Sequence, residues 1–425
     1  MNLLIRQTQI VDPASTLNTQ VCDVLIQEGK IISIAKEIKK EQLPDGVKMV
    51  EGKGTILTPG WLDLRAYFRE PGDEQKESIR SGQDAAAAGG FTGVVMMPST
   101  HPPVQSRAAV EFASSKSAGH AVKVYQAGAL TINRDGKDLC ELHDMMQGGA
   151  IIFTDDKRAI ADSGVMMRAL QYAGNVSARV ISYIDDIGVS GLSTANESKE
   201  TTLLGFKGSP SIAELIALQR DLNLVRYTGM PVHFSGISTK EAVAEIRKAK
   251  AEHLPVTAEV YLHHLLLDDS SLNGFDSNYK VKPPLRSLDD IDALKKAVLD
   301  GTIDVIVSDH SPEDPESKVV EFDYARFGMI ALESFYPVLM SAFKGALSVE
   351  KMVTLLAVNP RKILGLPALS VAENVEANFT MIHPEKEWVF SMDSLKSKSR
   401  NSPFLGMNFK GKVIGVYANN HWVQN

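Results

Sequence analysis

Apolar and polar positions along this chain fall into two textures. Between residues 61 and 308, short apolar runs of strand length alternate with longer stretches of helical spacing. Eight strands are predicted: Trp61–Phe68, Gly93–Pro98, Val122–Leu130, Ala150–Thr154, Arg179–Ile184, Pro231–Phe234, Val256–Leu262 and Asp304–Ser308. Helix-length segments such as Glu77–Ala88, Ser163–Tyr172, Ser211–Asp221, Lys240–Ala251 and Ser287–Leu299 lie between them. Thr239 is a capping-type residue at the head of one of these segments. Strand–helix alternation of this kind predicts a (β/α)8 barrel, a TIM barrel in the α/β class.

The two ends differ from the centre. Asp23–Ile26 and Lys30–Ile34, with Glu28-Gly29 between them, read as a hairpin, and Phe379–Ile382 and Gly411–Tyr417 read as further strands. Residues 1–57 and 366–425 are therefore expected to build one small, β-sandwich-like domain from both termini, with residues 58–365 as the barrel.

A chain of 425 residues suits a large barrel plus a satellite. Its formal net charge of -7 argues against a general nucleic-acid binder. No apolar run approaches the roughly 20 residues of a membrane span, and the N-terminus does not read as a signal peptide, so a cytoplasmic protein is expected. Two cysteines, Cys22 and Cys140, support neither a disulfide framework nor a CxxC zinc pattern.

In such barrels chemistry sits at the C-terminal strand ends. Those ends carry Arg65, Tyr67 and Arg69; Ser99; Asp155, Asp156 and Lys157; Tyr183 with Asp185 and Asp186; His233 and Gly236; His263 and His264; and Asp309 with Glu313. A catalytic zinc site needs about three protein ligands and an open position. Arginine cannot ligate a cation, because its guanidinium is a pure donor that stays protonated.

The motifs Arg69-Glu70-Pro71-Gly72, Lys280-Val281-Lys282-Pro283-Pro284-Leu285-Arg286 and Ser308-Asp309-His310-Ser311-Pro312 form a specific set. With Pro59-Gly60-Trp61-Leu62-Asp63, Phe153-Thr154-Asp155-Asp156 and Asn401-Ser402-Pro403-Phe404, they resemble the bacterial class I dihydroorotases of the amidohydrolase superfamily over nearly the whole length. The resemblance implies pyrimidine biosynthesis: reversible closure of carbamoyl aspartate to dihydroorotate on zinc. It also places the ligand positions of that family at Arg65, Tyr67, Asp155, Tyr183, Gly236 and Asp309, so that four of six are altered. Asp309 is then a vestigial general acid/base. The substrate positions fall on Arg69, Ser99, Lys282 and Glu313, with only Arg69 as the family has it.

The expectation is a dihydroorotase-like pseudoenzyme without metal or other cofactor, acting as a structural or regulatory partner of aspartate transcarbamoylase. Arg65 is expected to stand in for the metal's charge beside Asp309 and the Asp155/Asp156 pair. A homodimer is a further expectation. The alternative is an active zinc-dependent dihydroorotase, or another cyclic amidohydrolase, with a site rebuilt from His233, His263, His264 and Asp309. Against it, His263 and His264 are adjacent and on a strand would face opposite sides. A third reading is a sensor that keeps Arg69 to bind an acid without turning it over.

Overall fold

A computed structural model of the chain describes residues 1–425. All eight expected strands form, in chain order: β1 Trp61–Ala66, β2 Phe91–Met96, β3 Lys123–Gly128, β4 Ala150–Phe153, β5 Val180–Tyr183, β6 Val232–Ser235, β7 Val256–Tyr261 and β8 Val305–Val307. They pair in parallel as one sheet in sequence order. The observed strands are mostly shorter than the apolar runs, because the run continues into loop residues that stay buried at the barrel mouth, such as Tyr67 and Phe68.

The two edges of that sheet meet without a full ladder. The Asp63 carboxylate of β1 accepts from the backbone N–H and the hydroxyl of Ser308 just beyond β8, and Tyr67 N–H donates to the His310 carbonyl at 3.0 Å. A side chain here replaces a missing backbone partner. Burial pushes the Asp63 carboxyl up to about 7 despite those hydrogen bonds. Inside the barrel, Leu62, Leu64, Val95, Ala127, Ile152, Ile181 and Val305 pack as alternate inward residues.

The helices follow from their caps and apolar faces. Lys240–Ala251 begins after Thr239, whose hydroxyl accepts from Ala242 N–H, and buries Ala242, Val243, Ile246 and Ala249 along one stripe. The helix expected at Ser211–Asp221 runs on to Thr228 and stops at Gly229, which sits at φ 69°. Arg220-Asp221 resembles a polar end only in sequence; Asp221 is buried and accepts from Ser182 Oγ of β5 at 2.6 Å.

Strands from both chain ends join in one sheet. Its order is His421–Gln424, Asn408–Ala418, Phe379–Val389, Ile56–Pro59, Leu3–Ile10, Val21–Gln27 and Lys30–Ala35, and Lys48–Glu51 pairs alongside Leu3–Ile10. Most pairs are antiparallel, but Leu3–Ile10 pairs in parallel with Lys48–Glu51 and Ile56–Pro59. Trp61 and Tyr336, with ring centroids 5.8 Å apart, lie in the apolar packing between this sheet and the barrel. No helix is long and apolar enough to cross a membrane.

Candidate functional site: a charged barrel mouth

The first strand delivers Arg65 to the barrel axis with no exposed surface. Its Nε donates to Glu259 Oε1 of β7 at 2.9 Å, and its Nη1 donates to Asp156 Oδ1 at 2.6 Å. Tyr67 closes the same knot: its hydroxyl donates to Asp156 Oδ1 at 2.6 Å and accepts from Arg65 Nη1 at 3.2 Å. Glu259 also accepts from Ser235 Oγ and from His233 Nε2, the latter at 3.0 Å. The other ring nitrogen of His233 meets Thr257 Oγ1 at 2.8 Å. Burial alone would raise Glu259; the guanidinium and the imidazole outweigh it and hold the carboxyl at about 2. Asp156 is likewise held below the usual carboxylate range, because Arg65, Arg134 and Lys157 together overcome its burial.

Asp309 has a different counter-charge from the one expected. Lys157 Nζ donates to its Oδ2 at 2.7 Å, while Oδ1 is buried without a partner. Burial pushes the Asp309 carboxyl up to about 6, with Lys157 and Arg65 opposing it. Burial also lowers the Lys157 ammonium, against the pull of Asp309 and Asp156. The mouth thus holds three buried carboxylates, Asp156, Glu259 and Asp309, compensated by Arg65 and Lys157.

The fourth strand end corrects one assignment. Asp155 does not join the cluster: it accepts from the backbone N–H groups of Leu130 and Thr131, at 3.0 and 2.8 Å, and from the Thr131 hydroxyl. Asp156 takes the inward position because its backbone turns to φ 60°, with its N–H on Thr154 Oγ1. The seventh strand corrects another. β7 ends at Tyr261, and His263 and His264 lie in a 3-10 turn, Leu262–Leu265, rather than on a strand. Their rings are 4.5 Å apart and buried. His264 Nε2 meets the Pro284 carbonyl at 3.1 Å, and neither ring nitrogen of His263 has a partner. Burial keeps both imidazoles neutral, with His264 pushed down to about 3.

The substrate positions are also rearranged. Arg69 is occupied from within: its Nη2 donates to Glu313 Oε1 at 2.7 Å and its Nε to the Pro312 carbonyl at 3.1 Å. Glu313 is shared with Lys76 at 2.5 Å. Arg69 and Glu313 therefore satisfy each other instead of facing a ligand side by side. Lys282 pairs with Asp185 at 2.9 Å, and Ser99 Oγ is buried without a partner.

Gly236 sits at φ 76°, and a Cβ there would lie 3.1 Å from Tyr183 Cε2, 3.2 Å from Pro283 and 3.3 Å from the Tyr261 hydroxyl. The buried rings of Tyr183 and Tyr261 take the space beside it. Gly236→Ala is expected to cost about 1–3 kcal/mol, combining a strained left-handed backbone with overpacking. An unchanged urea midpoint would contradict this.

Glu259 is absent from the strand-end residues expected from sequence, because it lies inside the predicted strand Val256–Leu262. The available signal was a carboxylate in the middle of the run Val256–Tyr261: a charge in a buried strand requires a partner.

Fold and strand-end cluster together define an amidohydrolase-type barrel. L-hydantoinase (dihydropyrimidinase) from Arthrobacter aurescens superimposes with a TM-score of 0.86 at 20% identity, covering 100% of this chain and 96% of that one. Residues 54–242 match a family model described as dihydro-orotase-like. A dihydroorotase of Syntrophus aciditrophicus is 38% identical over 416 residues, 97% of each chain, and one of Carboxydothermus hydrogenoformans is 39% identical over 399 residues, 93% of this chain and 92% of that one. The chain belongs to the dihydroorotase family.

The zinc that the family resemblance implies does not fit these residues. No three His, Cys, Asp or Glu side chains are gathered as a metal site requires. The carboxylates at the barrel axis already receive a guanidinium and an ammonium, and the imidazole of His233 is spent on Glu259 and Thr257. A divalent cation entering here would face two fixed positive charges at close range.

Proposed function

We propose that this chain is a non-catalytic member of the dihydroorotase family that serves pyrimidine biosynthesis as a structural or regulatory partner of aspartate transcarbamoylase. One observation carries the non-catalytic part: at the C-terminal end of the barrel Arg65 ion-pairs with Asp156 and Glu259, and Lys157 with Asp309. Opening a cyclic amide near neutral pH calls for an activated water and a polarised carbonyl, both supplied by a metal in this family's chemistry. A guanidinium and an ammonium, each ion-paired, supply neither a Lewis acid nor a metal-activated water. The internal pairing of Arg69 with Glu313 points the same way, because the arginine expected to hold a substrate carboxylate already holds one.

The partnership rests on the family resemblance alone, by analogy with non-catalytic dihydroorotase-like chains that assemble with the preceding enzyme of the pathway.

The test combines metal analysis and turnover. Protein purified without chelator and equilibrated with zinc is expected to retain well below one zinc per chain after desalting, and to interconvert carbamoyl aspartate and dihydroorotate no faster than buffer. Stoichiometric zinc together with turnover would sink the reading. Affinity purification of the tagged chain from its native host is expected to bring down aspartate transcarbamoylase; recovery of the chain alone would remove the partner assignment.

A further inference from the structure

Beside the axial cluster, whose Tyr67, Asp156 and Lys157 line part of it, the barrel mouth opens into a cavity of about 830 Å³. Its wall carries eight Lys and Arg side chains against three Asp and Glu, in a chain whose formal net charge is -7. Three of those cations have close carboxylate partners: Arg69 with Glu313, Lys157 with Asp309 and Lys282 with Asp185. The other five do not. Arg158 and Lys280 reach only backbone carbonyls, of Asn133 and Phe322 among others. Lys207 and Arg326 extend as exposed side chains at the rim. Arg134 lies 3.8 Å from Asp156 Oδ2, a loose pairing to a carboxylate that Arg65 holds at 2.6 Å through the other oxygen.

Arg134 adds an independent observation. Its side chain is 9% exposed, it lines the cavity, and its Nε is buried with no hydrogen-bond acceptor. Asn133 and Arg134 both stand at positive φ, 54° and 55°, so the loop is bent to bring that guanidinium to the mouth. A buried charged donor left unpaired is costly, and an incoming anion would relieve it. Ser99 Oγ on the same wall is a second buried group without a partner.

Charge decides the class of anion. A dicarboxylate brings −2, whereas two linked phosphate groups bring about −3 to −4, each with three acceptor oxygens. An arginine fork matches two of those oxygens at once. We infer that the barrel mouth is a binding site for a small phosphate-bearing anion, anchored on Arg134 and framed by Arg158, Lys207 and Arg326. The inference goes beyond the proposed function and does not depend on it, since Arg158, Lys207 and Arg326 lie outside the axial charge cluster and Arg134 meets it only at Asp156, 3.8 Å away.

Calorimetric titration at fixed ionic strength tests the site, with inorganic pyrophosphate as probe and succinate as the dicarboxylate control. Saturable binding of one pyrophosphate per chain is expected, with succinate at least about tenfold weaker. Arg134→Gln is expected to weaken pyrophosphate binding by about tenfold or more, as loss of a charge-assisted hydrogen bond implies. Arg326→Ala removes an exposed side chain that folding does not need, and should also weaken binding while leaving the thermal transition in place. Absence of saturable binding, equal affinity for succinate, or unchanged affinity in Arg326→Ala would each overturn the assignment.

Discussion

Replacing Arg65 by methionine is expected to lower the unfolding free energy by about 3–5 kcal/mol, or to prevent folding. The side chain is fully buried and is the direct counter-charge of both Glu259 and Asp156. Breaking a buried ion pair by removing one member strands the other without solvent, and costs of that size are typical. Methionine fills similar space, so the loss reports charge rather than a cavity. Arg65→Lys is expected to recover only part of it, because one ammonium cannot address Glu259 and Asp156 as the two edges of a guanidinium do. Arg65→Met with Glu259→Gln should cost clearly less than the sum of the separate losses, since the second change removes the stranded charge. Urea unfolding of the parent and these four variants, Glu259→Gln alone included, checks this; a loss below about 1 kcal/mol for Arg65→Met would show that Arg65 does not replace a cation in the fold.

Lys157→Met is expected to produce a protein whose deficit grows with pH. In the parent, the Asp309 carboxyl stands at about 6, above its ordinary value of 3.8. A carboxyl raised by folding binds its proton more tightly in the folded state. Its contribution is therefore greatest below the ordinary value, is lost as pH climbs to about 6, and is constant above. Without Lys157, the nearest positive charge is gone and the folded value rises further. The variant then keeps losing stability above pH 6, by up to about 1.4 kcal/mol per pH unit relative to the parent, until the new value is passed. Urea midpoints between pH 5 and 8 read this slope. Parallel pH profiles for parent and variant would mean that Lys157 does not compensate Asp309.

These two residues also mark what could be read from the chain. Arg65 stood out at once, because a guanidinium in an apolar strand requires a buried acceptor whatever the fold. Its partner was only half legible: Asp156 was one of the expected carboxylates, but Glu259 lies 194 residues away and nothing in sequence spacing connects them. Lys157 sits beside the carboxylate pair in sequence, with nothing there to say which carboxylate it meets. The turn at Asp156 decides it, carrying Asp156 inward and Lys157 onto Asp309 while Asp155 folds back to hold the Leu130–Thr131 backbone. A single left-handed residue set all three destinations, and no pattern of apolar positions encodes it.

The order of residues along the chain carries the barrel, the eight strands and the family, because strand–helix alternation and the strand-end motifs are local properties that need no tertiary contact. It also determined which side chains gather at the mouth, since the C-terminal ends of parallel strands share one face. Which charge faces which is settled in three dimensions. Whether Glu313 offers itself to a ligand or to Arg69, and whether Arg134 has a partner, depends on ångström-scale loop placement between segments distant in the chain. At buried positions that placement fixes both the Coulomb energy and the desolvation cost, so the chemistry of the mouth was settled by contacts rather than by composition.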